Sequence, residues 1–120
     1  MDDDTLQMTM LFDFFGDLLT DKQREYFDLH HNEDLSLSEI AEKAGITRQG
    51  VYDIIARAER TLEEMERKTG VIRRWEETCK GLAAAWSLAN ELLRLSGGEG
   101  ETADVARKLI AILEELGARE

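Results

Sequence analysis

The 120-residue sequence contains no proline, and its single cysteine, Cys79, excludes a disulfide bond within the chain. Helix-forming residues dominate and runs of β-branched residues are absent, so the composition favours an all-α protein. Apolar runs such as residues 82–86 are far shorter than the roughly 20 residues that span a bilayer. The opening M-D-D-D-T lacks the basic and apolar regions of a secretory signal. We therefore expect a cytoplasmic protein that does not enter a membrane.

Basic residues are also scarce, with 15 Lys and Arg against 26 Asp and Glu and a formal net charge of −11. Such a balance is unusual for a protein that meets phosphates. The acidic excess is concentrated in residues 1–34, which carry ten acidic and two basic side chains. Residues 35–70 carry seven acidic and six basic side chains, so this segment is close to neutral without being a basic patch.

Catalytic signatures are missing as well. The sequence offers no nucleophile–base pair, and its G-G-E-G segment lacks the Lys and Ser or Thr of a phosphate-binding loop. His30 and His31 are adjacent, so they point to different sides of a helix, and no spaced third ligand accompanies them. We expect a protein that is not an enzyme and that holds no metal or other cofactor.

Residues 36–60 carry the strongest local signal, which is a pair of short helices joined by a tight turn. Ser36 and Glu39 form a capping box at the start of the first helix. Gly45 ends that helix because glycine reaches positive φ without steric cost, Ile46 would fill the corner, and Thr47 can cap the second helix. Apolar residues follow helical spacing in both helices: Leu37, Ile40, Ala41 and Ala44, then Val51, Ile54, Ile55 and Ala58.

This agreement of caps, turn and spacing predicts a helix-turn-helix unit, although an ordinary helical hairpin is the alternative. If the second helix enters a major groove, its first turn faces the base edges, where Arg48 could read guanine and Gln49 adenine. Asp53 and Glu59 oppose phosphate contact. The predicted nucleic-acid-binding residues are Thr47, Arg48, Gln49, Tyr52, Arg57 and Arg60.

Each of these polar residues has a simpler interpretation as part of a solvated helix face. Arg57 in particular could form an ion pair with Asp53, four positions earlier on the same helix. The sequence leaves both interpretations open.

Further helices are predicted on both sides of the unit. Thr20 and Gln23 form a second capping box, which opens a helix before the unit. After it, the second helix should run to Gly70, residues 71–95 should form a long amphipathic helix, and residues 102–116 a last one. Apolar residues at helical spacing define the first helix of the chain: Met8, Leu11, Phe12, Phe15, Leu18 and Leu19.

The Gly-rich segment 96–101 joins the last two helices, which predicts an antiparallel helical hairpin. The chain therefore divides into a helix-turn-helix head, residues 1–70, and a helical arm, residues 71–120. The arm has more apolar surface than a small head would cover, which favours a homodimer, although the arm could instead fold back on its own head. The predicted dimer interface, from heptad-like spacing, is Ile72, Trp75, Leu82, Trp86, Leu93, Leu109 and Leu113.

Residues 11–70 resemble the YlxM-type helix-turn-helix proteins of bacteria. Three motifs carry the resemblance: T-x-x-Q-R from residue 20, S-x-x-E-I-A from residue 36 and R-Q-x-V-Y from residue 48. The resemblance implies a cytosolic, non-enzymatic regulatory protein related in fold to region 4 of sigma factors, which reads promoter DNA. It also implies a link to the signal recognition particle. This chain has Gly50 where the family usually has Ala, which could let a partner approach the backbone closely.

Two functions follow as expectations. The first is a regulatory protein that binds DNA or RNA through the helix-turn-helix unit and acts in the signal recognition particle pathway. The alternative is a protein-interaction module that binds the GTPase of that particle, or its RNA, without reading DNA.

Overall fold

The computed structural model describes the backbone of residues 3–118 and the side chains of residues 6–118. This part of the chain contains helices and no strand, so the prediction of an all-α fold is confirmed. Within it, no helix combines the length and apolar character needed to cross a membrane. The elements in order are α1 (Asp3–Phe15), a single 3-10 turn (Gly16–Leu18), α2 (Asp21–His31), α3 (Leu37–Ala44), α4 (Arg48–Thr69), α5 (Val71–Leu95) and α6 (Glu101–Glu115).

Both predicted capping boxes are present. The backbone N–H of Gln23 donates to Thr20 Oγ1 at 3.2 Å, and the Thr20 N–H donates to Gln23 Oε1 at 3.0 Å. Ser36 and Glu39 make the same reciprocal pair of bonds, both 3.1 Å long. Each box satisfies two amides at a helix start that would otherwise lack partners, and this fixes where α2 and α3 begin.

The chain forms two compact units, Met1–Ile72 and Arg73–Glu120. In the first unit, α4 contributes to two clusters of buried apolar side chains, so it is the element on which the other helices of this unit pack. One cluster comprises Leu11, Phe15, Leu19, Phe27, Ala58, Leu62 and Ile72. The other comprises Tyr26, Ile40, Ala41, Val51 and Ile55.

Leu18 departs from the sequence-based expectation of an apolar face that continues through residues 18 and 19. Its side chain is 62% exposed, whereas Leu19 is buried. The reason is that α1 ends at Phe15 and the chain continues as a 3-10 turn, whose tighter winding breaks the α-helical spacing.

The second unit is the antiparallel hairpin that the Gly-rich segment predicted. Its helices are α6 and the part of α5 that follows Ile72. The indole Nε1 of Trp86 donates to Glu114 Oε2 at 3.2 Å, and Arg107 donates to the carbonyl oxygen of Gly98 in the connection. Ala89, Leu113 and Ala118 form the buried core, with Leu82, Ala85, Trp86 and Ile110 packed against it.

Glu39 links the start of α3 to the pH dependence of folding. Hydrogen bonds from the Ser36 backbone and side chain, followed by the charge of Lys43, hold the pKa of the Glu39 carboxyl below its ordinary value. A lowered pKa in the folded state stabilises the fold above the unfolded-state pKa, and the contribution disappears as pH falls through the folded-state pKa.

We therefore expect Glu39→Gln to reduce the loss of stability on acidification, because glutamine retains the cap oxygen but does not titrate. Urea unfolding measured from pH 7 down to about pH 3 would test this, because the loss lies below the ordinary glutamate pKa. The pH 7 values serve as the internal control, since glutamine can close the same capping box. An equally steep acid loss in the variant would contradict the prediction.

Candidate nucleic-acid interface

The turn between α3 and α4 has the geometry that the sequence predicted. Gly45 adopts φ 71° and ψ 28°, and its N–H donates to the carbonyl oxygen of Ala41 at 2.9 Å. The N–H of Ile46 donates to the same oxygen at 3.2 Å. Thr47 Oγ1 then accepts from the Gly50 N–H at 3.0 Å, so α4 begins after a connection of residues 45–47.

Ile46 does not fill the corner between these helices, which corrects the expectation from the sequence. Its side chain is 37% exposed. The corner is occupied instead by Ile40 of α3 and by Val51 and Ile55 of α4, which are buried together. These contacts fix α4 against α3 and leave the opposite side of α4 in solvent.

The exposed surface of α4 carries the polar residues that the sequence selected. Arg48, Gln49 and Tyr52 lie in the first turns of α4, and Tyr52 is 53% exposed. Arg57 and Arg60 follow further along the helix, also exposed. The structure thus places the whole predicted set on the surface of one unit: Thr47, Arg48, Gln49, Tyr52, Arg57 and Arg60.

Acidic groups of α4 that oppose phosphate contact have partners within the unit. Asp53 Oδ1 accepts from Gln49 Nε2 at 3.0 Å, in place of the Asp53–Arg57 ion pair that the sequence allowed. Glu59 Oε2 lies 3.0 Å from His31 Nε2. Glu64 pairs with Arg67 and Lys68, and the Arg67 guanidinium is the main cause that holds the pKa of this carboxyl below its ordinary value.

The arginines of the candidate interface differ from these carboxylates. Among the described residues, Arg48, Arg57 and Arg60 have no hydrogen-bond or ion-pair partner. Arg57 and Arg60 line an open groove of about 510 Å³, whose wall also includes Gln23, Thr61, Glu64 and Met65. Their guanidinium groups can therefore bind an external anion without breaking an internal contact.

The two histidines have structural roles. His30 Nδ1 lies 2.8 Å from the carbonyl oxygen of Leu35. The ring of His31 packs on Phe27 with centroids 4.2 Å apart, and its Nε2 contacts Glu59 of α4. Within residues 3–118, no group of three or more His, Cys, Asp or Glu side chains is placed to hold a metal ion. Sequence reasoning missed the His31–Glu59 pair because its members are 28 positions apart.

The predicted dimer residues do not form one exposed seam. Ile72 is buried in the core of the first unit, and Leu113 is buried in the hairpin, where Leu82 and Trp86 pack against it. Ile72 and Leu113 are therefore buried within the chain, and Leu82 and Trp86 are partly buried there. Heptad-like spacing did not reveal that these residues pack within one chain, because a helix packed on its own hairpin partner shows the same spacing as a helix in a dimer interface. The remaining three are the exposed Trp75 and Leu109 and the half-buried Leu93.

Two capped helices, a three-residue turn and an exposed polar face on the second helix define a helix-turn-helix protein. Over residues 2–83 the chain matches the family described as "Putative helix-turn-helix protein, YlxM / p13 like". The chain belongs to this family, which confirms the resemblance found in the sequence.

Several relatives match along nearly the whole length of the chain. The chain is 43% identical over 116 residues to the UPF0122 protein of Thermoanaerobacter sp. (strain X514), covering 97% of this chain and 98% of the relative. It is 38% identical over 118 residues to the UPF0122 protein of Halalkalibacterium halodurans, covering 98% of each chain. It is 37% identical over 111 residues to the UPF0122 protein of Desulforamulus reducens, covering 92% of this chain and 90% of the relative.

Thr47 is predicted to stabilise α4 through its cap. Thr47→Ala should lower the free energy of unfolding by about 1 kcal/mol, because the Gly50 N–H loses its acceptor. Thr47→Ser retains the hydroxyl and is the matched control. Urea denaturation of the three proteins would measure the difference, and equal stability of the Ala and Ser variants would exclude the cap as a contributor.

Proposed function

We propose that the chain is a regulatory protein that binds DNA or RNA through the start of α4, acting by binding rather than by catalysing a reaction. The observation that carries this proposal is the contrast on α4. Arg48, Arg57 and Arg60 are exposed without internal partners, whereas Asp53 and Glu59 each have one. These three guanidinium groups are therefore available to an external anion although the chain as a whole is acidic.

Arg48 and Gln49 are the candidates for reading bases, because the first turn of a recognition helix meets the base edges. An arginine there can donate two hydrogen bonds to guanine, and a glutamine can pair with adenine. Gln49 already donates to Asp53 at 3.0 Å, so it must exchange that contact for one with a base. Asp53 therefore competes with the nucleic acid for the side chain of Gln49. Only a sequence whose base replaces the Gln49–Asp53 hydrogen bond offsets this competition, and this favours sequence-dependent recognition.

Arg57 and Arg60 are the candidates for phosphate contacts. They face the groove that Gln23 and Met65 also line, beyond the turns that would meet the bases. Contacts of this kind position a helix on the backbone and carry no sequence information themselves. With a net charge of −11, we expect weak, salt-sensitive binding that needs favourable base contacts.

The test separates base reading from phosphate binding by substitution. Arg48→Ala combined with Gln49→Ala should abolish sequence preference in a selection from random duplexes, because both base-reading groups are lost. Arg60→Ala should weaken all sequences alike and reduce the salt slope of binding by about 1. Lys80→Ala is the control, since it removes the same charge from an exposed residue of the second unit that does not line the groove.

Fluorescence anisotropy at low and moderate salt would give the affinities. An unchanged sequence preference in the double variant would exclude direct reading by Arg48 and Gln49. Equal weakening by Arg60→Ala and Lys80→Ala would show that only the net charge of the protein matters, and it would exclude a phosphate site at Arg60.

The second candidate is a protein-interaction module that contacts the GTPase of the signal recognition particle in the cytoplasm. Two observations support it: the strongly acidic charge of the chain, and membership in the family whose resemblance implied this link. We propose the same pathway for the first candidate, the nucleic-acid-binding regulator, and the RNA of the particle is its candidate target there.

Mixing the purified protein with the particle's GTPase and RNA, separately and together, would distinguish the candidates by sedimentation. We expect association with at least one component at about 10 µM, where even modest interfaces are populated. Association with the GTPase alone, unaffected by Arg48→Ala, would favour the interaction module. No association with either component would overturn the link to the particle.

A further inference from the structure

The hairpin of the second unit leaves an unusually large set of apolar side chains in solvent. Their exposed fractions range from 43% for Leu109 to 67% for Leu88 and Leu95. Single exposed leucines are common on proteins, but a contiguous group of this size marks an interaction surface. The group, which we call the outer hairpin face, consists of Leu88, Leu92 and Leu95 on α5, Val105, Leu109 and Ile112 on α6, and Leu116 directly after α6.

Helical geometry places both parts of this set on the same side of the hairpin. At 3.6 residues per turn, the α5 residues lie about 110° around the helix from the stripe that faces the hairpin core. The α6 residues lie about 110° from their own core-facing stripe, in the same rotational sense. Because the helices are antiparallel, equal rotations from the two core directions lead to one common side. The outer hairpin face is therefore a single surface.

Charged residues flank this surface and are absent from its centre. Glu91 lies at the outer edge of α5, and Lys108 at the outer edge of α6. The hydrogen bond between Trp86 and Glu114 sets the register of the hairpin, and it places Glu91 at the level of Leu109, next to Lys108. Lys108 has no hydrogen-bond or ion-pair partner among the described residues, whereas Glu91 pairs with Arg94 at 3.6 Å.

We infer that a second copy of this chain covers the outer hairpin face, so that two hairpins form an antiparallel four-helix bundle. A two-fold axis parallel to the helices places α5 of one copy against α6 of the other. This rotation leaves the position of each residue along the helix axis unchanged. Glu91 of one copy then lies beside Lys108 of the other, and the symmetry creates this contact twice. The opposite charges at matching levels are what select a second copy as the occupant.

The exposed area agrees with this occupant. The seven partly exposed side chains offer on the order of 700 Å² per copy, close to the ~800 Å² that each partner contributes to a stable interface. The interface differs from the one predicted from heptad spacing and shares only Leu109 with it. The inference does not rest on the proposed function, since a dimer through the hairpins is compatible with either candidate.

The first experiment replaces apolar residues of the face. Leu88→Glu and Ile112→Glu should each weaken dimerisation by at least about 100-fold, because symmetry buries two unpaired carboxylates in the interface. Leu18→Glu is the matched control, since Leu18 is 62% exposed in the first unit and should leave the dimer intact. Sedimentation equilibrium gives the mass of each full-length protein, and circular dichroism confirms that the helices persist.

A single-chain mass of the unmodified protein at all concentrations up to about 100 µM would overturn the inference. So would a dimer that survives both glutamate substitutions, because its interface would then lie elsewhere.

The second experiment tests the symmetry by exchanging charges. Glu91→Lys and Lys108→Glu should each weaken the dimer by about 10-fold, because each places like charges opposite one another twice. The double exchange should restore affinity to within a factor of about three of the original. Both positions are exposed, so the variants should fold. Failure of the double exchange to recover affinity would overturn the proposed two-fold arrangement.

Discussion

The burial of one face of α4 in two clusters along its length is the constraint on which the first unit depends. Val51 and Ile55 pack near the start of the helix, against α2 and α3. Ala58 and Leu62 pack further along, in the cluster that joins residues of α1 and α2. Large buried side chains at both levels fix the rotation of α4 about its axis. The side that remains in solvent is therefore determined by the cores, and it presents Gln49 and Arg60 as part of a rigid element rather than of a loop.

Local sequence signals predicted the elements of this unit well. The caps at Thr20, Ser36 and Thr47 and the positive φ of Gly45 each depend on contacts within a few residues, which a sequence displays directly. The missed features depend on longer distances or on competition between similar contacts. The local sequence allows Asp53 to bond with either Gln49 or Arg57 and does not indicate which of the two forms. The apolar spacing in α5 is the same for a hairpin core and for an interface between two copies of the chain, so it does not distinguish them.

Three arginines of the candidate interface, Arg48, Arg57 and Arg60, are exposed and without internal partners although the chain is acidic. The excess of acid lies before the helix-turn-helix unit, and carboxylates of α4 are engaged by groups such as Gln49 and His31. The net charge of the chain therefore describes its average field at a distance. At close range, an anion meets the individual side chains, and the arginines without internal partners are available to it. Membership in a helix-turn-helix family agrees with this arrangement of the local surface.

The three side-chain caps of the first unit also have a kinetic consequence. Each cap joins residues three positions apart, and helices account for most of the unit, so much of its stabilising structure is local in sequence. Local contacts close small loops and cost little chain entropy before they form. A topology of this kind reaches its native state on the microsecond to millisecond scale that is typical of helical domains. The helix-turn-helix unit can therefore assemble quickly, which shortens the time during which apolar side chains of the unfolded chain are exposed to aggregation.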